Sequence, residues 1–218
     1  MDVIFGNLDL WGTAIKNTLL VFFGGGALAL VLGIIVGAMR VSPVPIARAV
    51  GTVYVSIVRN TPLTLVFFFV VFGYPALGMG KLSPAVLGVL AIGIYTATYV
   101  AEVLRAGINT VPVGQAEAAR AIGLPFGQVM TLVVLPQAFR SVVPPMMSVF
   151  IALLKNTTVA AGFSIAELGA LRAAVNDSAG RPGSPMEVLL WVAAVFVVLV
   201  LILSFVQNRL EKKWRIVR

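Results

Sequence analysis

The sequence contains no cysteine and no histidine, and charged residues make up only 11% of its 218 positions. The missing cysteines exclude disulfides and thiol chemistry, and the missing histidines exclude His-ligated metal sites and histidine acid–base catalysis. Apolar residues dominate what remains, because 60% of the chain is hydrophobic and its mean hydropathy is +1.03. This balance predicts a single integral membrane domain over residues 1–218.

Five apolar segments are long enough to cross a bilayer, whose hydrocarbon core takes about 20 residues of helix. No backbone polar group can stay unpaired in lipid, so each segment is expected to be helical and the fold to be all-α. The second and fourth segments each contain a base, Arg59 and Lys155 respectively. The predicted spans cover residues 13–39, 49–74, 82–104, 141–166 and 187–208.

Lysine and arginine are distributed unevenly between these spans, and ten of the 16 follow the first, third or fifth span. Cytoplasmic segments of membrane proteins are enriched in these residues, so the N-terminus is predicted outside, the C-terminus in the cytoplasm and residues 105–140 as a cytoplasmic loop. The net charge of +8 is placed beside apolar segments, which is typical of a membrane surface and not of nucleic-acid binding. The ten residues are Arg40, Arg48, Arg105, Arg120, Arg140, Arg209, Lys212, Lys213, Arg215 and Arg218.

The predicted cytoplasmic loop contains a short amphipathic motif, GQAEAARAIGLPFG, at residues 114–127. A helical period places Ala116 and Ala119 on one face of the first part. Gly123 supplies a helix stop, and Pro125 is suited to the start of a following helix. The motif predicts two short helices that meet at a bend, with small alanines that let the backbone of a partner approach closely.

The spacing of this loop resembles the EAA motif of bacterial ABC importer permeases, in which EAA is followed by three residues, a glycine, nine residues and I-x-L-P. Here EAARAIG is followed nine residues later by VVLP. In that family the loop is the coupling helix that sits in a groove of the ATP-hydrolysing subunit. The resemblance implies that the ATPase-coupling residues are Glu117, Ala118, Ala119, Gly123, Leu135 and Pro136.

Three further segments are similar to the polar amino-acid subfamily of these permeases, and to the glutamate-uptake permeases of actinobacteria. They are YTATYVAEVLRAGINTVPVGQAEAARAIG, RNTPLTLV and KNTT, and together they cover most of residues 51–165. The resemblance implies the type I ABC importer permease fold in a bacterial plasma membrane. It also implies uptake of a polar amino acid, glutamate or a relative, by alternating access.

The partners implied by the resemblance are a dimer of ATP-binding subunits, a second permease subunit that is identical or homologous, an extracytoplasmic substrate-binding protein and membrane lipid. The chain itself shows no phosphate loop, because GMGKLS lacks Ser or Thr after the lysine and opens a membrane span instead of following a strand. We therefore expect no directly bound cofactor and no enzymatic activity in this chain. ATP and Mg²⁺ are expected at the partner subunit.

The two intramembrane bases lie in similar tetrapeptides, RNTP and KNTT, at residues 59–62 and 155–158. A base in lipid is costly, so it lines an aqueous path or pairs with another group. Asn and Thr are good N-caps and proline suits the first helical turn, so each tetrapeptide predicts a broken helix whose N-terminal end points at an anion. One hypothesis is that a substrate carboxylate is held by Arg59, Asn60, Thr61, Lys155, Asn156 and Thr157. The alternative is that these residues bridge helices through carbonyls and never meet substrate.

Glu102 and Arg105 stand three residues apart at the end of the third span, a spacing that predicts a local helix pair. Both also lie in the segment that resembles the family, and the resemblance leaves open a second role in bracing the coupling loop. Two other functions stay open from the residues alone. An ion-gradient-driven secondary transporter would also carry intramembrane charges, and a non-transporting membrane scaffold would need neither Arg59 nor Lys155. The sequence leaves open which amino acid is carried and whether the two permease subunits are identical.

Overall fold

The computed structural model describes residues 2–176 and 184–214, and within these ranges every regular element is helical. Four helices, Leu8–Val41, Pro84–Ile108, Phe126–Phe163 and Pro185–Lys212, are long and apolar enough to cross a membrane. The bent pair Pro45–Asn60 and Leu63–Ala76 makes a fifth span if it is counted as one. The predicted basic residues Arg215 and Arg218 lie outside the described ranges. The helices are α1 Asp2–Phe5, α2 Leu8–Val41, α3 Pro45–Asn60, α4 Leu63–Ala76, α5 Pro84–Ile108, α6 Val113–Ala121, α7 Phe126–Phe163, α8 Leu171–Asn176 and α9 Pro185–Trp214.

Helices α2 and α5 form the central pair of the bundle. Their contacts advance in step, from Gly25 against Ile92 to Gly33 against Val100, so the two helices run parallel. Both glycines lie where a Cβ atom would overlap the facing side chain, which brings the helix backbones close together. This close approach buries Ile92 and Val100 completely.

Adding one methyl group at Gly33 is expected to destabilise this pair. In Gly33→Ala the new Cβ would overlap Val100 and lie 3.0 Å from the carbonyl oxygen of Ala97. Overpacking of this kind costs about 1–3 kcal/mol, so we expect a lower melting temperature of the detergent-purified protein. The matched control is Gly12→Ala in the same helix, where nothing lies within 4 Å of the added atom. Equal melting temperatures for the two variants would contradict this account.

The predicted second span, residues 49–74, is a broken one, because α3 and α4 meet at an angle of 104°. Proline disfavours the helical conformation in the residue before it, and Thr61 before Pro62 is extended, with φ −84° and ψ 132°. The side chains of Asn60 and Thr61 donate hydrogen bonds to the carbonyls of Ser56 and Ile57. They therefore terminate α3, and the prediction that they are N-caps of the following helix is wrong.

The predicted second short helix of the loop is in fact the beginning of α7, which starts at Phe126 and continues to Phe163. The predicted fourth span started only at residue 141. Pro136 does not break the helix, although its ring would crowd the carbonyl of Leu132 in a regular α-helix. A wider π-helical turn over Val129–Val134 precedes this proline and accommodates it.

The second predicted break, at KNTT, does not exist. Helix α7 passes through Lys155 and tightens into a 3₁₀ helix over Thr157–Phe163. The hydroxyls of Thr157 and Thr158 donate back to the carbonyls of Leu154 and Lys155. These hydroxyls therefore satisfy their own helix and cap no new one.

After α7 the chain folds back against α2. The side chain of Asn17 donates to the carbonyl of Ala166, and the backbone N–H of Leu168 donates to the hydroxyl of Thr18. Glu167, an acidic residue between the spanning helices, is completely buried here. Burial raises the pKa of its carboxyl group, and the backbone N–H groups of the following turn offset this only in part.

Candidate functional site

Helix α6 and the turn after it form a projecting bend, which we name the knuckle (residues 113–124). Gly123 has φ +91°, in the left-handed region that glycine adopts without strain. Its N–H donates to the carbonyl of Arg120, and the N–H of Leu124 donates to that of Ala119. These bonds close the C-terminal end of α6, so the predicted helix stop at Gly123 is confirmed.

The alanine face of α6 points into this chain and not towards a partner. Ala119 is buried against Val129 and Val134 at the start of α7, with Ala116 partly buried beside it. The prediction of an alanine face open to a partner is therefore wrong, because the predicted second helix is the start of α7 and covers this face. The exposed side of the knuckle carries Glu117, Ala118, Val113 and Ile122.

Ile122 is the most prominent apolar side chain of the knuckle, with 79% of its surface exposed. The sequence analysis did not predict its role, although an apolar residue directly before the glycine that ends the helix could have indicated it. An isolated exposed isoleucine needs no explanation, but here Val113, 71% exposed, stands on the same short element. Two exposed apolar side chains on a rigid bend are suited to contact with another protein.

The structure thus places the six predicted coupling residues in three different environments: the exposed knuckle, the interior and an apolar groove. Glu117, Ala118 and Gly123 lie on the exposed knuckle, whereas Ala119 is internal. Leu135 lines an apolar groove of about 370 Å³ between the ends of α2, α5 and the start of α7. Pro136 is exposed beside it.

A second feature is a cavity of about 450 Å³ between α5 and α7. Its polar side is formed by the Tyr95 and Tyr99 hydroxyls, which lie 2.9 Å apart. Of the six predicted substrate-pathway residues, Asn156 lines this cavity. The complete lining is Tyr95, Thr96, Tyr99, Ser148, Val149, Ala152, Leu153 and Asn156.

Arg59, one residue before the end of α3, is not part of the cavity lining but contacts Tyr99, which is. Its guanidinium carbon lies 5.3 Å from the centre of the Tyr99 ring, a cation–π distance. Nearly half of its side chain, 47%, is exposed. The break at Thr61–Pro62 therefore does position a base beside a polar cavity, but it does so with the C-terminal end of α3 and not with an N-cap.

Three arginines surround the carboxylate of Glu102. Its Oε1 atom lies 2.7 Å from Nη1 of Arg40 and 3.7 Å from Nη1 of Arg59, and its Oε2 atom lies 3.0 Å from Nη2 of Arg105. The predicted pair with Arg105 is confirmed. The other two arginines were missed because they come from α2 and α3, far away in the sequence, and no local pattern links them. One negative and three positive side chains leave a local surplus of positive charge.

The remaining predicted substrate-pathway residues do not reach the cavity lining. Thr157 is completely buried, and Asn60 and Thr61 are used in ending α3. Lys155 is exposed, and within residues 2–176 and 184–214 its ammonium group makes no ion pair or hydrogen bond. Those same ranges hold no group of three or more carboxylates that could bind a metal ion.

A known family covers nearly the whole chain: its description is "binding-protein-dependent transport system inner membrane component", and it matches residues 29–216. The chain belongs to this family. It is therefore a membrane subunit of a transport system that depends on a binding protein, and a multi-pass protein of the plasma membrane. The family predicted from the EAA-like spacing is confirmed.

Individual relatives agree with this assignment. A glutamate transport system permease protein of Corynebacterium glutamicum is 45% identical over 161 residues, which are 69% of this chain and 71% of that one. An arginine transport system permease protein of Bacillus subtilis is 32% identical over 196 residues, covering 90% and 88% of the two chains.

Solved structures show the same fold. A chain of an amino acid ABC transporter crystallised with histidines superposes with a TM-score of 0.86 at 26% identity, covering 94% of both chains. An inward-facing methionine ABC transporter gives a TM-score of 0.77 at 22% identity, covering 96% and 98%. The all-helical permease architecture is confirmed, whereas the count of five spans and the N-outside orientation stay predictions.

Proposed function

We propose that this chain is the permease subunit of an ATP-driven type I importer that takes up an acidic amino acid, glutamate. A dimer of ATP-binding subunits docks on the knuckle, a second permease subunit completes the pathway, and an extracytoplasmic binding protein delivers the substrate. The chain itself is not catalytic. The N-terminus lies outside and the knuckle lies in the cytoplasm, in agreement with the excess of basic residues at that end.

The connection between the knuckle and the spanning helices supports the coupling role. The hydroxyl of Thr110, in the link between α5 and α6, lies 3.1 Å from the hydroxyl of Ser141 on α7. Ala119 of α6 packs into the start of α7. A displacement of the knuckle by the ATPase therefore carries the adjoining ends of α5 and α7 with it, as a rigid-body transition requires.

The single observation that carries the substrate assignment is the contact of Arg59 with Tyr99, a residue of the polar cavity lining. A guanidinium group is a preferred partner for a carboxylate, and its planar fork can bind both oxygens. Tyr99 and Asn156 supply further hydrogen-bonding groups, and a volume of about 450 Å³ is within the range of small-molecule sites. The positive surplus around Glu102 favours a substrate with net negative charge, and the Corynebacterium relative is named for glutamate transport.

The cavity is completed by the second permease subunit. Ala152 in its lining and Arg59 beside the lining residue Tyr99 are both exposed in the isolated chain. A substrate bound there would face solvent or lipid on one side unless a neighbouring subunit covered it. Two permease chains related by a two-fold axis would enclose the pathway between them.

The assay that tests this function uses the complete complex in proteoliposomes, with ATP inside, the binding protein outside and radiolabelled L-glutamate as the probe. We expect uptake that requires both ATP and the binding protein, and faster ATP hydrolysis when L-glutamate is present. Uptake driven by an ion gradient without ATP would support the secondary transporter instead. ATP-dependent uptake of arginine or histidine but not glutamate would overturn the substrate assignment alone.

A further inference from the structure

The three arginines around Glu102 hold it unequally. Arg40 and Arg59 compete for the same oxygen, Oε1, at 2.7 Å and 3.7 Å. Arg40 is only 10% exposed, whereas Arg59 is 47% exposed. Arg105 holds the other oxygen with two contacts, at 3.0 and 3.3 Å. Arg59 is thus the most weakly held of the three partners.

We infer that Glu102 is a positioning residue that serves as the internal counter-ion of Arg59 while the cavity is empty, and that the substrate carboxylate displaces it. This inference rests on the proposed function, because it requires that Arg59 binds substrate. Glu102 itself does not touch substrate. It acts by competing for the guanidinium group.

The geometry allows the exchange in both directions. When Arg59 turns from Glu102 to a substrate carboxylate, Arg40 and Arg105 remain on the two oxygens of Glu102, so this half-buried carboxylate keeps two partners. When the substrate leaves, Arg59 returns to Glu102 and to the ring of Tyr99. The guanidinium group therefore has a partner in both states.

The exchange also sets the affinity of the site. A substrate that must displace an internal carboxylate binds more weakly than it would to a free guanidinium. Its apparent dissociation constant is the intrinsic one divided by the fraction of molecules in which Arg59 is not paired with Glu102. An importer benefits from this, because the substrate has to leave the cavity in every cycle. Removing the competing carboxylate should therefore tighten substrate binding.

The test is the equilibrium dissociation constant for radiolabelled L-glutamate, measured on the complete permease–ATPase complex in nanodiscs without the binding protein. Glu102→Gln keeps the shape of the side chain and removes its charge. We expect it to lower the dissociation constant about two- to fivefold, the strength of a partly exposed ion pair. In an Arg59→Gln background the same substitution should have no effect.

Arg105→Gln provides a second measurement with the opposite sign. It removes a partner of Glu102 and leaves more of the carboxylate charge for Arg59, so the dissociation constant should rise about twofold. Arg105 is 39% exposed, and its loss leaves Arg40 on the carboxylate, so this variant should assemble even if Glu102→Gln does not. This rise should also disappear in the Arg59→Gln background.

The possible results separate the inference from the proposed function. If Arg59→Gln alone leaves the dissociation constant unchanged, the substrate site itself is misplaced. If Arg59→Gln weakens binding but the Glu102 and Arg105 variants shift it equally with and without Arg59, a general electrostatic effect is at work and the counter-ion role is overturned. If neither variant shifts it while Arg59 is present, the counter-ion role is also overturned and the proposed function stands.

Discussion

Ile122→Asp is expected to detach the ATP-binding subunits from the purified complex. Ile122 stands at the tip of the knuckle and is 79% exposed in the isolated chain. In a docked complex the aspartate would replace an apolar contact and bury a charge without a partner. Central interface residues of this kind are worth roughly 2–4 kcal/mol, so the affinity for the ATPase should fall by about thirtyfold or more. Co-purification on a tag attached to this chain would measure the loss.

The matched control is Leu77→Asp. Leu77 is exposed to a similar extent, 76%, but it follows α4 in the connection to α5, away from the knuckle. We expect this variant to retain the ATPase at the level of the unmodified protein. If both variants lose the ATPase, the cause is general instability. If Ile122→Asp retains it, the knuckle is not the docking element and the ATP-driven mechanism loses its structural basis.

Arg59→Gln is expected to weaken the binding of L-glutamate to the complex by about tenfold or more. A hydrogen bond to a charged group contributes about 1.5–3 kcal/mol, and glutamine keeps a donor but loses the charge and the planar fork. The ATPase should remain bound, because Arg59 lies in the spanning part of the chain and not on the knuckle. Equilibrium binding of radiolabelled L-glutamate in nanodiscs, without the binding protein, would measure the change.

Arg48→Gln is the appropriate comparison, since Arg48 lies on the same helix α3 and undergoes the same chemical change. Its guanidinium group donates to the carbonyls of Ser42 and Pro43, in the link between α2 and α3, and neither of these partners belongs to the cavity lining. We expect unchanged glutamate binding in this variant. Equal weakening by the two substitutions would mean that the general positive charge of the chain attracts the substrate, and that Arg59 has no particular role.

The two sites are linked through helix α5. Tyr95 and Tyr99 of α5 line the cavity, Glu102 follows one turn later, and the helix ends at Ile108, a few residues before the knuckle. In the proposed mechanism, a substrate bound at Arg59 and an ATPase docked on the knuckle would therefore act on the same helix.

Much of this protein could be predicted from short-range patterns. A long apolar segment in lipid must pair its backbone N–H and C=O groups internally, and a helix does so within one segment. The all-helical membrane fold therefore follows from composition and segment length. The stop at Gly123 depends on the backbone freedom of one residue, and the pair of Glu102 with Arg105 depends on a spacing of three. The family followed from a motif at fixed spacing.

The remaining features depend on which segments meet in three dimensions. The burial of the alanine face of α6 could be predicted only by knowing that α7 starts at Phe126. The first part of α7 contains a π-helical turn, which the periodicity of the sequence does not reveal. The two similar tetrapeptides differ because Pro62 lacks a backbone N–H and restricts the residue before it, whereas Thr158 keeps its backbone N–H and the helix continues through it.

The sequence by itself therefore determined the membrane fold, the family and the bend of the knuckle, because each depends on neighbouring residues and on the solvent. Only the tertiary structure decided which charges meet. Arg40, Arg59 and Glu102 come from three different helices, and ion pairing depends on the distance between atoms, which distant sequence positions do not encode in any local pattern.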